Sequence, residues 1–299
     1  MPRFFFLLLL TVAMNGPVFP QGDGPILRRT LPRDLSHHGC RQAHLPVQAL
    51  LARRSSAADG NFDMSGSLAR SDSFDITHYG LELDVTAASS LQVTGSAHIT
   101  FETLESGANN LWFDLEGSLD VDSLSLDGVT WAFDQIGDSV FVSAPDGGWQ
   151  PAGPQVVGLH YHGQPGKDPY WGGMYLTGDY IFSLGIGLTT IPPNHGKAWY
   201  PCFDQFRERS AYTYGITSAG GKRFHGQGHL VQTDSLGGDT IRRVFDMPQP
   251  IPTYLSAIAV ADYQDWDTTH VGTYGEVPIR LTAKAANLNL MKNRFADLG

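Results

Sequence analysis

Lysine and glutamate are scarce in this 299-residue chain, cysteine occurs only twice, and no apolar run is long enough to span a bilayer comfortably. Lys and Glu favour exposed helix faces, so their shortage argues against a helical protein. Asp and the 34 glycines favour tight turns, and the balance predicts a mostly β chain. An excess of positive charge is also missing. The formal charge of −10 argues against nucleic acid and against an anionic membrane surface as partners. Two cysteines permit at most one bridge. Cys40 lies in a linker-like region and Cys202 in an aromatic bend, so no structural disulfide is expected. Nor is Cys40 placed as a lipoprotein acceptor, since it lies far past the apolar run and follows His37-His38-Gly39.

That run, residues 4–14 behind Arg3, has the form of a secretory signal. A signal peptide over residues 1–21, with cleavage between Pro17 and Asp23, predicts export to the periplasm or the extracellular space. An uncleaved anchor is the alternative, and only then would a membrane be a partner. Residues 22–70 carry Pro, Ser, Gly and Arg with little periodicity and read as a linker, with a short helix over 47–54.

From Asp75 the hydrophobic period becomes two. Tyr79, Leu81, Leu83 and Val85 alternate with polar or small residues, as do Leu91, Val93, Ala97, Ile99 and Phe101. Further strands are expected over 111–115, 119–126, 129–133, 140–143, 156–162, 174–177 and 180–184. Asp127-Gly128 and Gly178-Asp179 serve as turns, and a slipped phase near Ser123 marks a bulge. Residues 212–218, 229–233, 241–246 and 277–281 continue the series, with Gly237-Gly238 as a turn. The apolar stretch 254–263 reads as a strand buried on both faces. Leu288, Met291, Phe295 and Leu298 recur at helical spacing, with an apolar face expected to be left exposed. Strands this short and regular predict an antiparallel β-sandwich or saddle.

The densest stretch is residues 197–204, Lys-Ala-Trp-Tyr-Pro-Cys-Phe-Asp. Pro201 fixes its own φ and pushes Tyr200 towards an extended conformation, which predicts a rigid bend. Trp199, Tyr200 and Phe203 should plug into a core. Asp204 would then need a cation, and Arg209 or Arg207 is nearest in sequence. Two readings stand: a structural corner with an ion pair, or a Cys-Asp catalytic site.

The run Trp199-Tyr200-Pro201-Cys202-Phe203-Asp204, followed by Arg209-Ser210-Ala211-Tyr212, resembles the Pro-Cys-Phe-Asp signature of the aminopeptidase N family of zinc aminopeptidases. Pro250-Ile251-Pro252-Thr253-Tyr254-Leu255, leading into residues 257–263, is similar to that family's Pro-Met-Pro-Thr-Tyr-Leu run. The resemblance implies an N-terminal β domain over 71–266 and the start of a thermolysin-like catalytic domain over 267–299, with the chain cut before the zinc site. It also implies zinc in the full-length protein, peptide substrates, and the chain's own downstream catalytic domain as partner. Two departures stand out. Family relatives hold the substrate's amino terminus with a Gln and an acid at the positions of Thr190 and Pro192, and neither residue here can act as an acid. The usual Glu-Pro after the signature is Gln205-Phe206.

No His is followed by Glu, so the helical His-Glu-x-x-His of zinc peptidases is missing, as is the family's Gly-Ala-Met-Glu-Asn motif. No catalytic or metal-binding residue is therefore expected in this chain. His160 and His162 share a strand face with no acidic or His partner evident nearby, which reads as a solvated face and not as a metal site. His225 and His229 are separated by glycines that oppose a helix. The run Gly185–Gly187 precedes no helix, which argues against a phosphate loop, and no Gly-x-Ser-x-Gly elbow occurs. Tyr170, Trp171, Met174 and Tyr175 form an aromatic patch suited to packing or to a sugar or peptide. The functional expectation is the non-catalytic N-terminal domain of an exported zinc aminopeptidase. The alternatives are a β-rich binding module and an inactive divergent relative.

Overall fold

The computed structural model describes residues 70–177 and 180–296. The first strands are β1 (Phe74–Asp84), β2 (Val93–Thr103), β3 (Leu111–Asp114), β4 (Leu119–Leu126), β5 (Val129–Thr130), β6 (Phe133–Ile136) and β7 (Ser139–Val142). Next come β8 (Gln155–Gly163), β9 (Gly172–Leu176), β10 (Ile181–Gly187), β11 (Ser210–Ser218) and β12 (Arg223–Gly226). The last are β13 (His229–Gly237), β14 (Thr240–Ile251), β15 (Ile258–Ala261), β16 (Tyr263–Gly272) and β17 (Gly275–Lys284), before helix α1 (Ala285–Arg294).

One large sheet runs in the order β13-β14-β11-β1-β2-β8-β4-β5. A four-stranded sheet, β12-β15-β10-β9, and a three-stranded one, β3-β7-β6, contribute side chains to the same core. Strands β16 and β17 form a separate hairpin. The pairings are antiparallel except between β1 and β11, which lie parallel. The fold is all-β, as the alternation predicts, with a mixed central sheet in place of a purely antiparallel one.

Period two does the placing. Ile76, Tyr79, Leu81 and Leu83 of β1 face the core while Glu82 and Asp84 point away, and Val93, Ala97, Ile99 and Phe101 of β2 pack beside them. Asp127 (φ 49°) and Gly128 (φ 81°) both adopt left-handed backbone, the signature of a type I′ hairpin turn. The phase slip near Ser123 is a bulge between Val121 and Ser123 against β8.

Four expectations need correction. Residues 129–133 are not one strand. The chain turns at Trp131, whose N–H donates to Leu124 O and whose indole donates to Ser143 O, and so passes from the large sheet to the three-stranded one. Residues 254–263 are interrupted in the same way: a 3-10 turn at Thr253–Leu255 precedes the fully buried β15, and Asp262 separates it from β16. Strand β12 went unnoticed because its Arg-Phe-His-Gly lacks alternation: three consecutive residues are buried. The face of α1 is also less bare than its spacing implied. Leu288 is buried, and Met291 and Phe295 are half-buried. The Gly178-Asp179 turn, Leu298, Cys40 and the segments over 1–21 and 22–69 lie outside the described residues.

Candidate functional site

The bend at residues 199–204 is the centre of the core. Trp199, Tyr200, Cys202 and Phe203 have no exposed surface, and Pro201 is buried with them. Backbone hydrogen bonds pin it to the end of β3: Asp114 N–H donates to Cys202 O (2.8 Å), and Cys202 N–H returns to Asp114 O (3.0 Å). Tyrosines hold the remaining polar backbone. Tyr161 Oη donates to Trp199 O (3.0 Å), and Phe203 N–H donates to Tyr79 Oη (3.0 Å). Buried backbone groups must find partners, and the sheet supplies phenols where no strand can reach.

The second motif closes on the first. Tyr200 Oη donates to Thr253 O (3.3 Å), and the Thr253 hydroxyl donates to Phe203 O (3.3 Å). Pro252 is buried as the N-cap of the 3-10 turn. Half-buried Tyr254 meets the Phe206 ring edge-on at 5.2 Å. Gly185 is required here for its size, since a Cβ would lie 2.5 Å from Tyr254 O.

Asp204 is buried, but its partner is not the expected cation. Its Oδ1 accepts the N–H of Gly196 (3.0 Å) and its Oδ2 that of Lys197 (3.4 Å). Arg209 is exposed, and Arg207 pairs on the surface with Asp72 at 2.8 Å. Sequence proximity misled because the chain turns outward at Phe206, carrying both arginines away from the core. Burial, and then the neighbouring Asp114, push the Asp204 carboxyl above its usual range, against the pull of its backbone donors.

The buried cation is Arg70, at the end of the span read as linker. Its guanidinium is fully covered, ion-paired with Asp114, and donates to Trp112 O (3.0 Å). It lies between the rings of Phe203 (4.3 Å) and Trp112 (4.8 Å). Ser71 accepts from Gln205 Nε2, so the segment before β1 straps the bend from outside. No periodicity pointed to Arg70, because an isolated anchor has none.

Cys202 is a free buried thiol. Burial, and then Asp204 and Asp114, push its pKa well up, so it is held as a thiol. An unexposed thiol facing two carboxylates cannot act as a nucleophile, which removes the Cys-Asp catalytic reading.

Thr190 lies half-buried on the loop after β10, with its hydroxyl donating to Gly187 O (3.1 Å). That loop is organised by Asp168, which sequence reasoning missed. Asp168 Oδ1 accepts the N–H groups of Tyr170 (2.8 Å) and Trp171 (2.9 Å), and Oδ2 accepts the N–H (2.7 Å) and hydroxyl (2.5 Å) of Thr189. Burial raises its pKa, but those hydrogen bonds together outweigh burial and hold it below the usual value. The Asp-Pro pair before an aromatic run was the available signal for such a turn. The donors beside Gly185–Gly187 thus serve an internal carboxylate. In the aromatic patch Met174 is buried, while Tyr170 and Trp171 are 54% and 37% exposed. Tyr175 stacks on Phe182 at 4.7 Å and has the Lys167 ammonium over its ring at 4.8 Å.

His162 does have an acidic partner, Asp122, at 2.9 Å, contrary to expectation, but both side chains are half exposed. Among the described residues no three His, Cys, Asp or Glu side chains converge as metal ligands. The donor sets present therefore do not fit a catalytic zinc, which takes three protein ligands.

No family model matches the chain, and no curated protein matches its sequence. Solved structures do. An M1 zinc metallopeptidase from Deinococcus radiodurans, in a form bound to a Tyr-Ser-Ala substrate, superposes with a TM-score of 0.62 at 21% identity. The alignment covers 71% of this chain and 48% of that one. The fold is that of the β domain of M1 zinc metallopeptidases. Aminopeptidase A from Legionella pneumophila, in complex with aspartic acid, aligns over 73% of this chain and 25% of its own length, with a TM-score of 0.60 at 16% identity. This chain thus spans about half the length of the Deinococcus protein and a quarter of the Legionella one.

Proposed function

We propose that this chain is the N-terminal, non-catalytic β domain of an exported, zinc-dependent aminopeptidase of the M1 type. The observation that carries the reading is the joining of its two motifs. Thr253 of the second closes on Tyr200 and Phe203 of the first, inside a fold shared with M1 metallopeptidases. In the assembled enzyme the zinc ligands and the general base come from a downstream catalytic domain, and zinc supplies the activated water. The β domain's part is to wall the cleft and restrict it to small peptide ends. With Thr190 hydrogen-bonded to its own loop and the nearby Asp168 carboxylate engaged by Tyr170, Trp171 and Thr189, recognition of the substrate's amine falls to the catalytic domain. Arg3 and the apolar run 4–14 support export.

The test is to express the 299-residue chain beside the product of the coding sequence extended past Gly299, measure zinc per chain, and assay an aminoacyl-anilide. The longer product is expected to bind zinc and turn over, and the short one to do neither. A second reading, a β-rich binding module, is favoured by the exposed Tyr170 and Trp171 on their Asp168-tied turn. A longer product without zinc or turnover would put that reading first.

A further inference from the structure

The two larger sheets treat water differently. On the large sheet, Glu82 and Asp84 of β1, Thr94 and His98 of β2, and His160 and His162 of β8 point away from the core. Apolar inside and polar outside is the pattern of an antiparallel sheet with one face in solvent. The outer side of the four-stranded sheet is apolar instead, apart from Arg223 and His225 at its β12 edge. Ile181 and Ser183 of β10 are buried, and Phe182, Leu184 and Ile186 alternate with them on the other side. Tyr175 of β9 stacks on Phe182 (ring centroids 4.7 Å), and Trp171 follows at 5.9 Å from Tyr175. Ala259 of β15 lies opposite Phe182 in register, on the same side. A sheet that is apolar on both faces is built to be covered on both.

One end of this outer side is already covered, and by the segment that follows β15. Ala259, Ala261 and Tyr263 form a small cluster apart from the main core, with Tyr180 and Phe182 packed against it. Lys284, at the end of β17, holds its ammonium over the Tyr180 ring at 4.4 Å. Phe182 therefore joins a covered cluster to an uncovered strip. Along that strip Tyr175 and Leu184 are only half-buried, and Trp171 and Ile186 are exposed. Helix α1, which leads the chain onward from the same hairpin, carries Leu290 58% exposed.

We propose that the outer side of β9 and β10, from Phe182 to Trp171, is the seat of the polypeptide that continues past Gly299, which packs there and buries the aromatic strip. The identity of that polypeptide as a catalytic domain rests on the function proposed above. Its place on this face follows from continuity: the layer begun by Tyr263 and Lys284 is extended by the chain that comes after α1. The chemistry of the strip suits a protein layer better than a soluble ligand. Its side chains are aliphatic and aromatic, and the Tyr175 phenol is turned inward to accept the N–H of Gly172 at 3.0 Å. The buried polar groups left without a partner among the described residues do not include any on the strip, so no hydrogen-bonding array awaits a sugar or a peptide. Strand β10 also ends at Gly187, whose carbonyl holds the Thr190 hydroxyl. A domain seated on β10 thus stands beside the Thr190 loop, where a wall of the cleft belongs.

The experiment is hydroxyl-radical footprinting read by mass spectrometry, on the 299-residue chain and on the product extended past Gly299. Zinc content and aminoacyl-anilide turnover are measured on the same samples. Trp171, Tyr175 and Phe182 should be oxidised in the 299-residue chain. In the extended product their oxidation should drop to that of Phe101 and Phe113, which have no exposed surface, while His160 and His162 on the large sheet keep theirs. An extended product that binds zinc and turns over, yet leaves the strip as reactive as in the short chain, overturns the docking and leaves the enzymatic reading standing. An extended product without zinc or turnover removes the enzymatic reading, and the strip then decides alone: protection supports the docking, and unchanged oxidation overturns it. Protection in the 299-residue chain that rises with its concentration would assign the strip to a second copy and also overturn the proposal.

Discussion

Arg70→Ala tests the organisation of the core most sharply. The substitution removes a fully covered guanidinium from Asp114, from Trp112 O and from between two aromatic rings. What remains is a carboxylate beside Asp204 that has lost its ion-pair partner, with Lys197, itself paired to Asp138, acting on it only at longer range. Breaking a buried pair by deleting one partner costs on the order of 3–5 kcal/mol. The Asp114 side chain is 21% exposed, so water can recover part of its solvation, which favours the lower end, about 3 kcal/mol. For a domain of this size each kcal/mol lowers Tm by about 2–4 °C, so the melt should fall by about 6–12 °C. Arg70→Lys keeps the charge but loses the planar fork, and should fall between Arg70→Ala and wild type. Arg207→Ala is the control. Its pair with Asp72 is more than half exposed on both sides and should contribute less than about 1 kcal/mol. Far-UV circular dichroism melts read all three variants. If Arg70→Ala melts within about 1 °C of wild type, the buried pair is not what holds the strap on the bend.

Three further outcomes follow from the same geometry. Asp204→Ala should destabilise by about 2 kcal/mol in a chemical denaturation series, since the buried N–H of Gly196 and the part-buried N–H of Lys197 lose their acceptor, whereas Arg209→Ala should be nearly silent. The Cys202 thiol should resist an aromatic disulfide reagent at pH 8 until the chain is unfolded, because it has neither access nor thiolate character. Asp168→Ala should speed amide exchange at Tyr170, Trp171 and Thr189 by about tenfold or more. Because the folded pKa of Asp168 is depressed, its stabilisation is complete above the unfolded value near 3.8 and is lost as pH falls through the folded one, so wild-type exchange there should approach that of the variant in strong acid.

Much of the fold was legible because half-buried strands write their burial into every second residue. Tyr79, Leu81 and Leu83 of β1 and the Asp127-Gly128 turn are cases where local pattern and tertiary structure agree. The failures have a common cause. Strand β12 is covered on both faces for three residues running and so has no alternation to detect. The crossings between sheets at Trp131-Ala132 and at Asp262 are two residues and one residue long, too short to disturb a hydrophobic run, yet each ends one strand and begins another. At the site, the aromatic bend was legible because bulky side chains around a proline have few other places to go. Its electrostatics were not, since Asp114 and Arg70 stand 44 positions apart and meet only through the sheet.

The two departures from the aminopeptidase pattern acquire a physical meaning once the strap is in view. Gln205, where relatives carry Glu, is buried and reaches Ser71 as a neutral donor. A carboxylate at that place could not donate, and would add a third negative group close to Asp204 and Asp114. Phe206, where relatives carry Pro, places its ring edge-on against Tyr254 of the second motif. Both replacements therefore make contacts that tie the bend to neighbouring segments. Arg209 kept its family identity and yet is exposed, while the charge balance of the core rests on Arg70. Identity at a motif position is thus a poor guide to which residue carries the electrostatics here. The core demands a cation against Asp114, and the fold supplies it from whichever segment lies close enough to reach.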